Sequence, residues 1–252
     1  MTFNVAAGAY DRFMGRYSVL LSPQMADLAG VGSGQQVLDV GCGPGSLTAE
    51  LVARTGSEKV AAVDPSASFV GAARSRYPGV DVREASAESL PFEDGRFDAA
   101  LAQLVVHFMT DPVRGIGEMA RVTRPGGVVA ACVWDHAGGK GPLALFWDAA
   151  RELDPSVADE SQLPGVREGH LAELFGQAGL RDVRSTVLSA DLEHPGFEAW
   201  WAPFEEGVGP AGAYLAGLAP ERRAGLRERC RAALPDGPFT IIARAWAARG
   251  EV

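Results

Sequence analysis

The chain has 252 residues, of which 47% are hydrophobic, and it carries a formal net charge of −9 at pH 7. This length buries one sizeable core, so we expect a single domain over residues 1–252. The acidic balance argues against binding of nucleic acid or anionic lipid, which depends on clustered Lys and Arg, and no apolar run is long enough to cross a membrane. A small molecule is the expected partner, and the oligomeric state is not encoded in any pattern that we can interpret.

The N-terminal residues lack a basic flank followed by an apolar block, so no secretory signal is visible and we expect a cytoplasmic location. The three cysteines, Cys42, Cys132 and Cys230, are scattered without the spacing of a metal site. This pattern fits a reducing compartment, and it predicts neither a disulfide framework nor a bound metal.

Five apolar runs of strand length alternate with helix-length segments in the first half of the chain. The predicted strands are Gln36 to Val40, Lys59 to Val63, Val80 to Arg83, Phe97 to Leu101 and Gly127 to Val133. Before the fifth run, Asp111 and Pro112 supply an N-cap and a first-turn proline for a helix that extends through Val122. Strands that alternate with helices predict parallel pairing with right-handed crossovers, and therefore an α/β fold.

The second half of the chain interrupts this rhythm twice. An amphipathic helix follows the fifth strand, and a helix and a strand are then predicted at Leu171 to Ala178 and Val183 to Leu188. Aromatic residues and arginines fill the next segment, before a final strand at Phe239 to Trp246. We therefore expect a core of residues 34–190 and 239–249, covered by a helical N-terminal cap segment, residues 1–31, and by an insert, residues 191–238.

Three glycines crowd the loop after the first predicted strand, in the stretch VLDVGCGPGSLT. The first strand-to-helix loop of a parallel sheet frames the ligand crevice, and Gly41, Gly43 and Gly45 permit close approach of a ligand to the backbone. The dinucleotide pattern GxGxxG fails here, because Ser46 stands at the position of its third glycine.

Two aspartates end the first two predicted strands and indicate a cationic ligand. Asp39 would repel a pyrophosphate at short range but attract an ammonium or sulfonium group. Pro44 agrees with this interpretation, since it removes an N–H donor that a phosphate site would use. Asp64 occupies a position from which a carboxylate binds both hydroxyls of a ribose, although a residue that merely precedes a helix is the alternative. Together they predict an adenosine attached to a positive group.

Four segments resemble, in order and spacing, the motifs of class I S-adenosylmethionine-dependent methyltransferases, in particular the type 11 group that includes the ubiquinone and menaquinone methylases. They read VLDVGCGPGSLT, AAVDPS, ASAESLPFEDGRFDAALAQLVVHF and ARVTRPGGVVAACVW, and they cover residues 36–134. The resemblance implies a Rossmann-like class I methyltransferase fold with a seven-stranded, mostly parallel sheet, helices on both faces and a helical cap. It also implies S-adenosyl-L-methionine (SAM) as cofactor and S-adenosyl-L-homocysteine (SAH) as product.

The resemblance further implies which residues hold the cofactor. Asp39 would hold its ammonium, directly or through water, Asp64 its ribose hydroxyls, and the loop glycines would pack against its methionine end. The complete implied set is Tyr10, Arg16, Asp39, Gly41, Gly43, Gly45, Asp64, Pro65, Ser66, Ser86, Ala87, Glu88, Gln103 and Leu104.

One position departs from the family pattern. The family often has an acid before the alanine that follows the third strand, where it accepts the exocyclic amine of adenine, and this chain has Ser86 there. Glu88 is a substitute acceptor, or else a solvated charge. Arg16 is likewise either a partner of the methionine carboxylate or a surface charge.

His107 is the candidate catalytic residue, because it follows the fourth predicted strand and an imidazole suits proton transfer near neutral pH. A histidine that only lines the pocket is the alternative. Trp134, Asp135 and His136 follow the fifth strand and are expected to face the acceptor side of the same crevice. Adjacent side chains rarely point at each other, which argues against an Asp135–His136 dyad.

The candidate acceptor-binding residues are, besides His107, Tyr17, Trp134, Trp200 and Trp201. Aromatic residues line apolar pockets, although at this spacing they also form the internal core of a helical cap. Both interpretations of Trp200 and Trp201 stay open.

The sequence thus predicts an enzyme that transfers a methyl group from SAM to a small, partly apolar metabolite. Methyl transfer depends above all on alignment of donor and acceptor. A non-catalytic module that binds SAM or SAH would share every donor motif. An NAD(P)-dependent oxidoreductase would share the fold, but the missing third glycine and the position of Asp39 disfavour it. The accepting atom, oxygen, nitrogen or carbon, is not indicated.

Overall fold

A computed structural model of the chain describes residues 7–252, so residues 1–6 of the predicted N-terminal cap segment lie outside the described residues. The structure is built on one seven-stranded sheet with the order β3-β2-β1-β4-β5-β7-β6. The strands are β1 (Val37–Val40), β2 (Val60–Asp64), β3 (Asp81–Glu84), β4 (Phe97–Gln103), β5 (Thr123–Trp134), β6 (Arg181–His194) and β7 (Phe239–Glu251).

The first five strands are parallel to one another, and β7 runs antiparallel between β5 and β6. The carboxyl ends of the five parallel strands therefore meet at one edge of the sheet. This arrangement confirms the predicted mostly parallel α/β sheet, and it brings together the residues that follow β1, β2 and β4.

Ten helices surround the sheet within the described residues: α1 (Ala7–Tyr10), α2 (Arg16–Leu28), α3 (Ser46–Thr55), α4 (Ala67–Arg76), α5 (Pro112–Val122), α6 (Ala144–Leu153), α7 (His170–Gln177), α8 (Phe197–Trp201), α9 (Gly209–Gly217) and α10 (Pro220–Ala232). A π-helical turn joins α1 to α2, and short 3₁₀ helices cover Val106–Phe108 and Glu160–Gln162. Apolar side chains of α2, α3 and α4 pack on one face of the sheet, and those of α5 and α7 pack on the other.

Helix α5 begins as the sequence predicts. The Asp111 side chain accepts a hydrogen bond from the backbone N–H of Arg114 at 3.0 Å, and Pro112 occupies the first turn. The helix runs directly into β5, which begins at Thr123 because this residue pairs with Phe97. The strand therefore starts four residues before the predicted Gly127.

Strands β6 and β7 are longer than predicted. They pair from Arg181 with Glu251 to His194 with Phe239, and this pairing carries β6 four residues beyond the predicted end of the core at residue 190. Register along two long antiparallel strands depends on both partners, so the local apolar pattern of either strand underestimates its length.

A third apolar cluster lies apart from the two clusters that cover the sheet. It joins Phe13 near the N-terminus, Phe146 of α6 and Phe204 after α8, whose rings pack on one another. We call residues 7–15, 143–163 and 195–238, which supply this cluster, the cap. Among residues 7–252, the helices all fall short of the length and apolar character that crossing a membrane requires.

Candidate active site

A cavity opens at the edge where β1, β2 and β4 end, and we call it the strand-end cavity. Ten of the fourteen residues that the sequence assigns to the cofactor line it: Tyr10, Gly41, Gly43, Asp64, Pro65, Ser86, Ala87, Glu88, Gln103 and Leu104. Four other lining residues, Phe69, Val105, Phe108 and Met109, were not predicted.

The glycine loop owes its course to left-handed backbone conformations. Gly41, Gly43 and Gly45 have φ angles of 71°, 54° and 104°. A Cβ atom at Gly41 would lie 2.4 Å from Cγ2 of Val105, whereas a Cβ at Gly43 would have no atom of residues 7–252 within 4 Å. Position 41 therefore needs glycine for conformation and for space, and position 43 needs it for conformation alone.

This difference predicts unequal effects of alanine at the two positions. Gly43→Ala should lower the free energy of unfolding by about 1 kcal/mol through backbone strain, and Gly41→Ala by about 2 kcal/mol, because half-buried Val105 must also move. Urea denaturation of both variants without ligand measures the difference. Equal losses would contradict the close contact with Val105.

Asp64 holds the glycine loop from the end of β2. Its Oδ2 accepts a hydrogen bond from the backbone N–H of Gly43 at 2.9 Å, and its Oδ1 accepts one from the N–H of Ser66 at 2.8 Å. Each carboxylate oxygen has a second lone pair, so the side chain can still accept hydrogen bonds from a ligand in the cavity. Burial raises the pKa of this carboxyl above its usual value.

Asp39 lies deeper and is only 1% exposed. Its Oδ2 accepts a 2.6 Å hydrogen bond from the Thr48 hydroxyl, and burial raises the pKa of its carboxyl to about 7. The side chain does not line the strand-end cavity. The carboxylate therefore does not contact a ligand in this cavity directly. Asp39 was predicted to hold the ammonium group directly or through water, and the geometry favours the contact through water.

Leu104 marks the end of β4 with an unusual backbone. Its φ of 63° is rare for a residue that is not glycine, and its N–H donates to the carbonyl of Cys132 at 2.8 Å. Strained conformations of this kind persist where the surroundings hold them, commonly at functional sites. Leu104 lines the strand-end cavity and a second cavity next to it.

The second cavity, which we call the cap cavity, has a volume of about 40 Å³ and lies between the sheet edge and the cap. Most of its wall is apolar, and its polar side chains are those of Tyr10, His107, His136 and Glu160. Tyr10, Leu104 and Phe108 line both cavities, so the two spaces adjoin at these three residues.

The polar groups of the cap cavity are buried and sparsely paired. The Nδ1 atom of His107 and the Nε2 atom of His136 are buried without a hydrogen-bond partner among residues 7–252. Glu160 Oε1 lies 3.9 Å from His136 Nε2, and Trp147 Nε1 donates to Glu160 Oε2 at 2.9 Å. Burial raises the pKa of Glu160 to about 7, lowers that of His136 to about 4, and holds that of His107 well below its usual value.

Sequence comparison agrees with this geometry. A family model described as a methyltransferase domain matches residues 38–131, which carry the glycine loop. An uncharacterized methyltransferase of Mycobacterium tuberculosis is 36% identical over 179 residues, 71% of this chain and 60% of the relative. The malonyl-[acyl-carrier protein] O-methyltransferase of Pectobacterium atrosepticum is 36% identical over 162 residues, 64% of this chain and 61% of that protein. This chain belongs to the class I SAM-dependent methyltransferases.

The chain spans about three fifths of the length of these relatives. A solved methyltransferase structure supports the fold: the geranyl diphosphate C-methyltransferase of Streptomyces coelicolor, crystallised with Mg²⁺, geranyl diphosphate and SAH, matches with a TM-score of 0.54 at 15% identity, over 92% of this chain and 78% of that one. This match confirms the predicted Rossmann-like class I fold. The predicted cofactor, SAM, follows from the family to which the chain belongs.

The strand-end cavity of this methyltransferase suits a cationic cofactor. Its charged lining residues within the described part of the chain are two acids, Asp64 and Glu88, with no Lys or Arg to meet a phosphate. Gln103 donates its Nε2 to the Ser18 carbonyl at 3.0 Å and to the Ser22 hydroxyl at 3.2 Å. Its Oε1 is buried without a partner among residues 7–252, and an ammonium group would supply the missing donor.

Two polar side chains line the cavity on the adenine side of the methyltransferase site. Ser86 is exposed and lines the cavity. Glu88 also lines it, but its Oε1 accepts hydrogen bonds from the backbone N–H groups of Thr110 at 2.8 Å and Asp111 at 3.4 Å. Glu88 therefore fixes the loop before α5 through Oε1. Its role as a substitute acceptor for the adenine amine stays a prediction.

Arg16, Ser66 and Gly45 do not line the strand-end cavity. The Arg16 guanidinium donates to the carbonyl of Glu193 at 3.3 Å, which keeps it on the β6 side of α2. The predicted contact with the methionine carboxylate would require Arg16 to line this cavity, and it does not. Gly45 is the N-cap residue of α3, and an added Cβ there would lie 2.4 Å from the Tyr77 ring.

Of the four candidate aromatic residues for the acceptor, one lines the cap cavity and three do not. Trp134 lines the cap cavity. Trp200 and Trp201 belong to the cap cluster, and Trp201 Nε1 donates to Glu205 at 3.0 Å, so they form the internal core of the cap. Tyr17 is buried outside the cap cavity, where its hydroxyl bonds to His194 Nε2 at 3.0 Å.

Glu160 is a residue of the cap cavity that was not predicted. It begins a short 3₁₀ helix between α6 and α7, where no periodic pattern marks a buried acid. His136 lies on the acceptor side as predicted, and the Asp135 Oδ1 accepts from the Gly138 N–H at 2.9 Å. Within residues 7–252, no group of three or more His, Cys, Asp or Glu side chains is placed to hold a metal ion.

Proposed function

We propose that this protein transfers a methyl group from SAM, held in the strand-end cavity, to a small and largely apolar acceptor held in the cap cavity. The adjoining of the two cavities at Tyr10, Leu104 and Phe108 carries the proposal. A donor in one space and an acceptor in the other would meet at this boundary, which is the alignment that an in-line displacement needs.

The residues of the chain have separate tasks in this proposal. SAM supplies an activated methyl group on a sulfonium centre. Asp64 binds the ribose hydroxyls, and Gln103 Oε1 accepts from the ammonium group. Asp39, buried and close behind the glycine loop, contributes negative charge. The cap closes over the acceptor, which excludes water and strengthens these electrostatic interactions.

The acceptor class follows from the wall of the cap cavity. Apolar residues from three separate parts of the cap, among them Phe13, Leu143 and Val208, surround the few polar groups. A polymeric acceptor is disfavoured, because the cavity is small and the net charge of −9 opposes nucleic acid. His107 lines this cavity, where it orients the acceptor or exchanges a proton with it.

Transfer of a tritiated methyl group from SAM tests the proposal. An extract of cellular metabolites, a protein fraction and a nucleic-acid fraction are each incubated with the wild-type protein and with the Asp64→Ala variant. We expect label in the metabolite fraction only, and much less of it with the Asp64→Ala variant when SAM is kept below saturation. Label in the protein or nucleic-acid fraction would refute the small acceptor. SAH binding without any transfer would instead indicate a non-catalytic module.

A further inference from the structure

Glu160 is a buried acid whose surroundings are not those of a structural residue. It is 4% exposed, yet among residues 7–252 it has no cationic partner within hydrogen-bond distance. Trp147 Nε1 donates a hydrogen bond to Oε2, whereas Oε1 lies 3.9 Å from His136 Nε2. A carboxylate that served packing alone would be costly here, because a buried charge without a partner destabilises the fold.

The unpaired atoms converge on one space. Glu160 and His136 both line the cap cavity, and the 3.9 Å between Oε1 and Nε2 is too long for a hydrogen bond. It is short enough for one oxygen atom, placed to the side of the line that joins them, to lie within hydrogen-bond distance of both. A hydroxyl group suits this bridging position, since it has one proton to donate to Oε1 and lone pairs to accept from Nε2.

The other titratable groups that face Glu160 do not change their protonation state near neutral pH. Burial lowers the pKa of His136 to about 4, holds that of His107 well below its usual value, and raises that of Tyr10 to about 12. Asp159, next to Glu160 in the chain, pairs with Arg151 of α6 and has a pKa below its usual value. Glu160 is therefore the group of this set that changes charge near pH 7.

We propose that Glu160 is the general base of the acceptor site, with His136 as the residue that positions the hydroxyl, and that the acceptor is a small, largely apolar molecule with a weakly acidic hydroxyl group of the phenol or enol class. This inference rests on the proposed function and specifies its acceptor. The hydroxyl proton passes to Glu160 Oε1, and the freed electron pair of the oxygen forms the new bond to the methyl carbon. The bond from carbon to sulfur breaks with its electron pair on sulfur, so the products are the methyl ether, SAH and a protonated Glu160.

Binding of phenol to the SAH-saturated protein tests this inference without turnover. The tyrosine side chain, which is a phenol, has a pKa of about 10, so phenol stays neutral between pH 5.5 and 8.5. A change of its affinity in that range therefore reports on the protein. We expect the affinity to rise about tenfold through pH 7, because a hydrogen bond to an ionised carboxylate is roughly twice as strong as a neutral one. Toluene, which lacks the hydroxyl, should show no such rise.

Three variants separate a chemical role from a structural one. Glu160→Gln keeps an acceptor for Trp147 and should bind phenol with no dependence on pH. Trp147→Phe removes a donor that favours the ionised acid, so the midpoint should move to higher pH. Glu205→Gln is the matched control, because Glu205 also accepts from a tryptophan Nε1 but lines neither cavity, and it should behave as wild type.

Once an acceptor is found, Glu160→Gln should lower its rate of methylation by about 10²- to 10⁴-fold and remove the rise of rate through pH 7, with SAH affinity unchanged. A full rate with an unaltered pH profile would overturn the inference and leave methyl transfer standing. An acceptor that is methylated at an amine nitrogen would also overturn it. No turnover by the wild type, with SAH bound, would refute the proposed function itself.

Discussion

Asp64→Ala is expected to weaken binding of SAH by about 30- to 150-fold. The substitution removes two hydrogen bonds from ribose hydroxyls to a charged group, which corresponds to roughly 2–3 kcal/mol. Asp64 also accepts from the backbone of Gly43 and Ser66, so part of the loss arises from a looser glycine loop. Calorimetric titration with SAH measures the change.

Asp64→Asn is the control for the part of the loss that arises from a looser glycine loop. Asparagine keeps the shape of the side chain and one oxygen acceptor for the loop, but it has no charge and offers fewer acceptor sites to the ribose. We expect an affinity between those of the wild type and the alanine variant, with an unfolding midpoint close to that of the wild type. An unchanged affinity in the alanine variant would remove Asp64 from the donor site.

Asp39→Asn is expected to stabilise the protein without ligand at pH 8 and to weaken binding of SAH. Burial raises the pKa of the carboxyl from 3.8 to about 7, so the folded protein holds this proton more tightly than the unfolded chain does. The free energy of unfolding therefore falls as pH rises through this interval. The charge costs the folded state at most about 4 kcal/mol at pH 8, and asparagine avoids that cost while it still accepts from Thr48.

The stabilisation by Asp39→Asn should shrink towards pH 4, where the wild-type carboxyl is protonated in the folded protein. Urea denaturation at pH 4.5 and pH 8 measures it. The SAH affinity of the variant should be about tenfold lower at pH 8, because the ammonium loses the attraction of one buried charge. A variant that is less stable than the wild type at pH 8 would show that the carboxylate supports the fold rather than the ligand.

The donor side of the site could be predicted from the sequence, because its residues are local to strand ends. Asp64 ends a buried strand, and Gly41 and Gly43 follow another, so parallel pairing alone brings them to one edge of the sheet. Their residue types also carry the chemistry, since left-handed glycine backbone and carboxylates are distinctive. The position of Asp39 behind the cavity was beyond prediction, as it depends on the hydrogen bond with Thr48.

The acceptor side could not be predicted in the same way. Glu160 lies in the cap cavity because of contacts between segments that are far apart in the chain. Its neighbour Trp147 lies on α6, and its neighbour His136 follows β5. Glu160 begins a 3₁₀ helix of three residues, which is too short for any periodicity to distinguish a buried acid from a solvated one. Trp200 and Trp201 show the converse, since aromatic spacing typical of a pocket instead forms the core of the cap.

The most direct test of the account is calorimetric titration of the purified protein with SAH, with NADH as the control ligand. The account predicts saturable binding of SAH at one site per chain and no heat of binding with NADH, since the two acids of the strand-end cavity repel a pyrophosphate. Binding of NADH without binding of SAH would contradict it, because the cavity would then accept a dinucleotide despite Asp64 and Glu88.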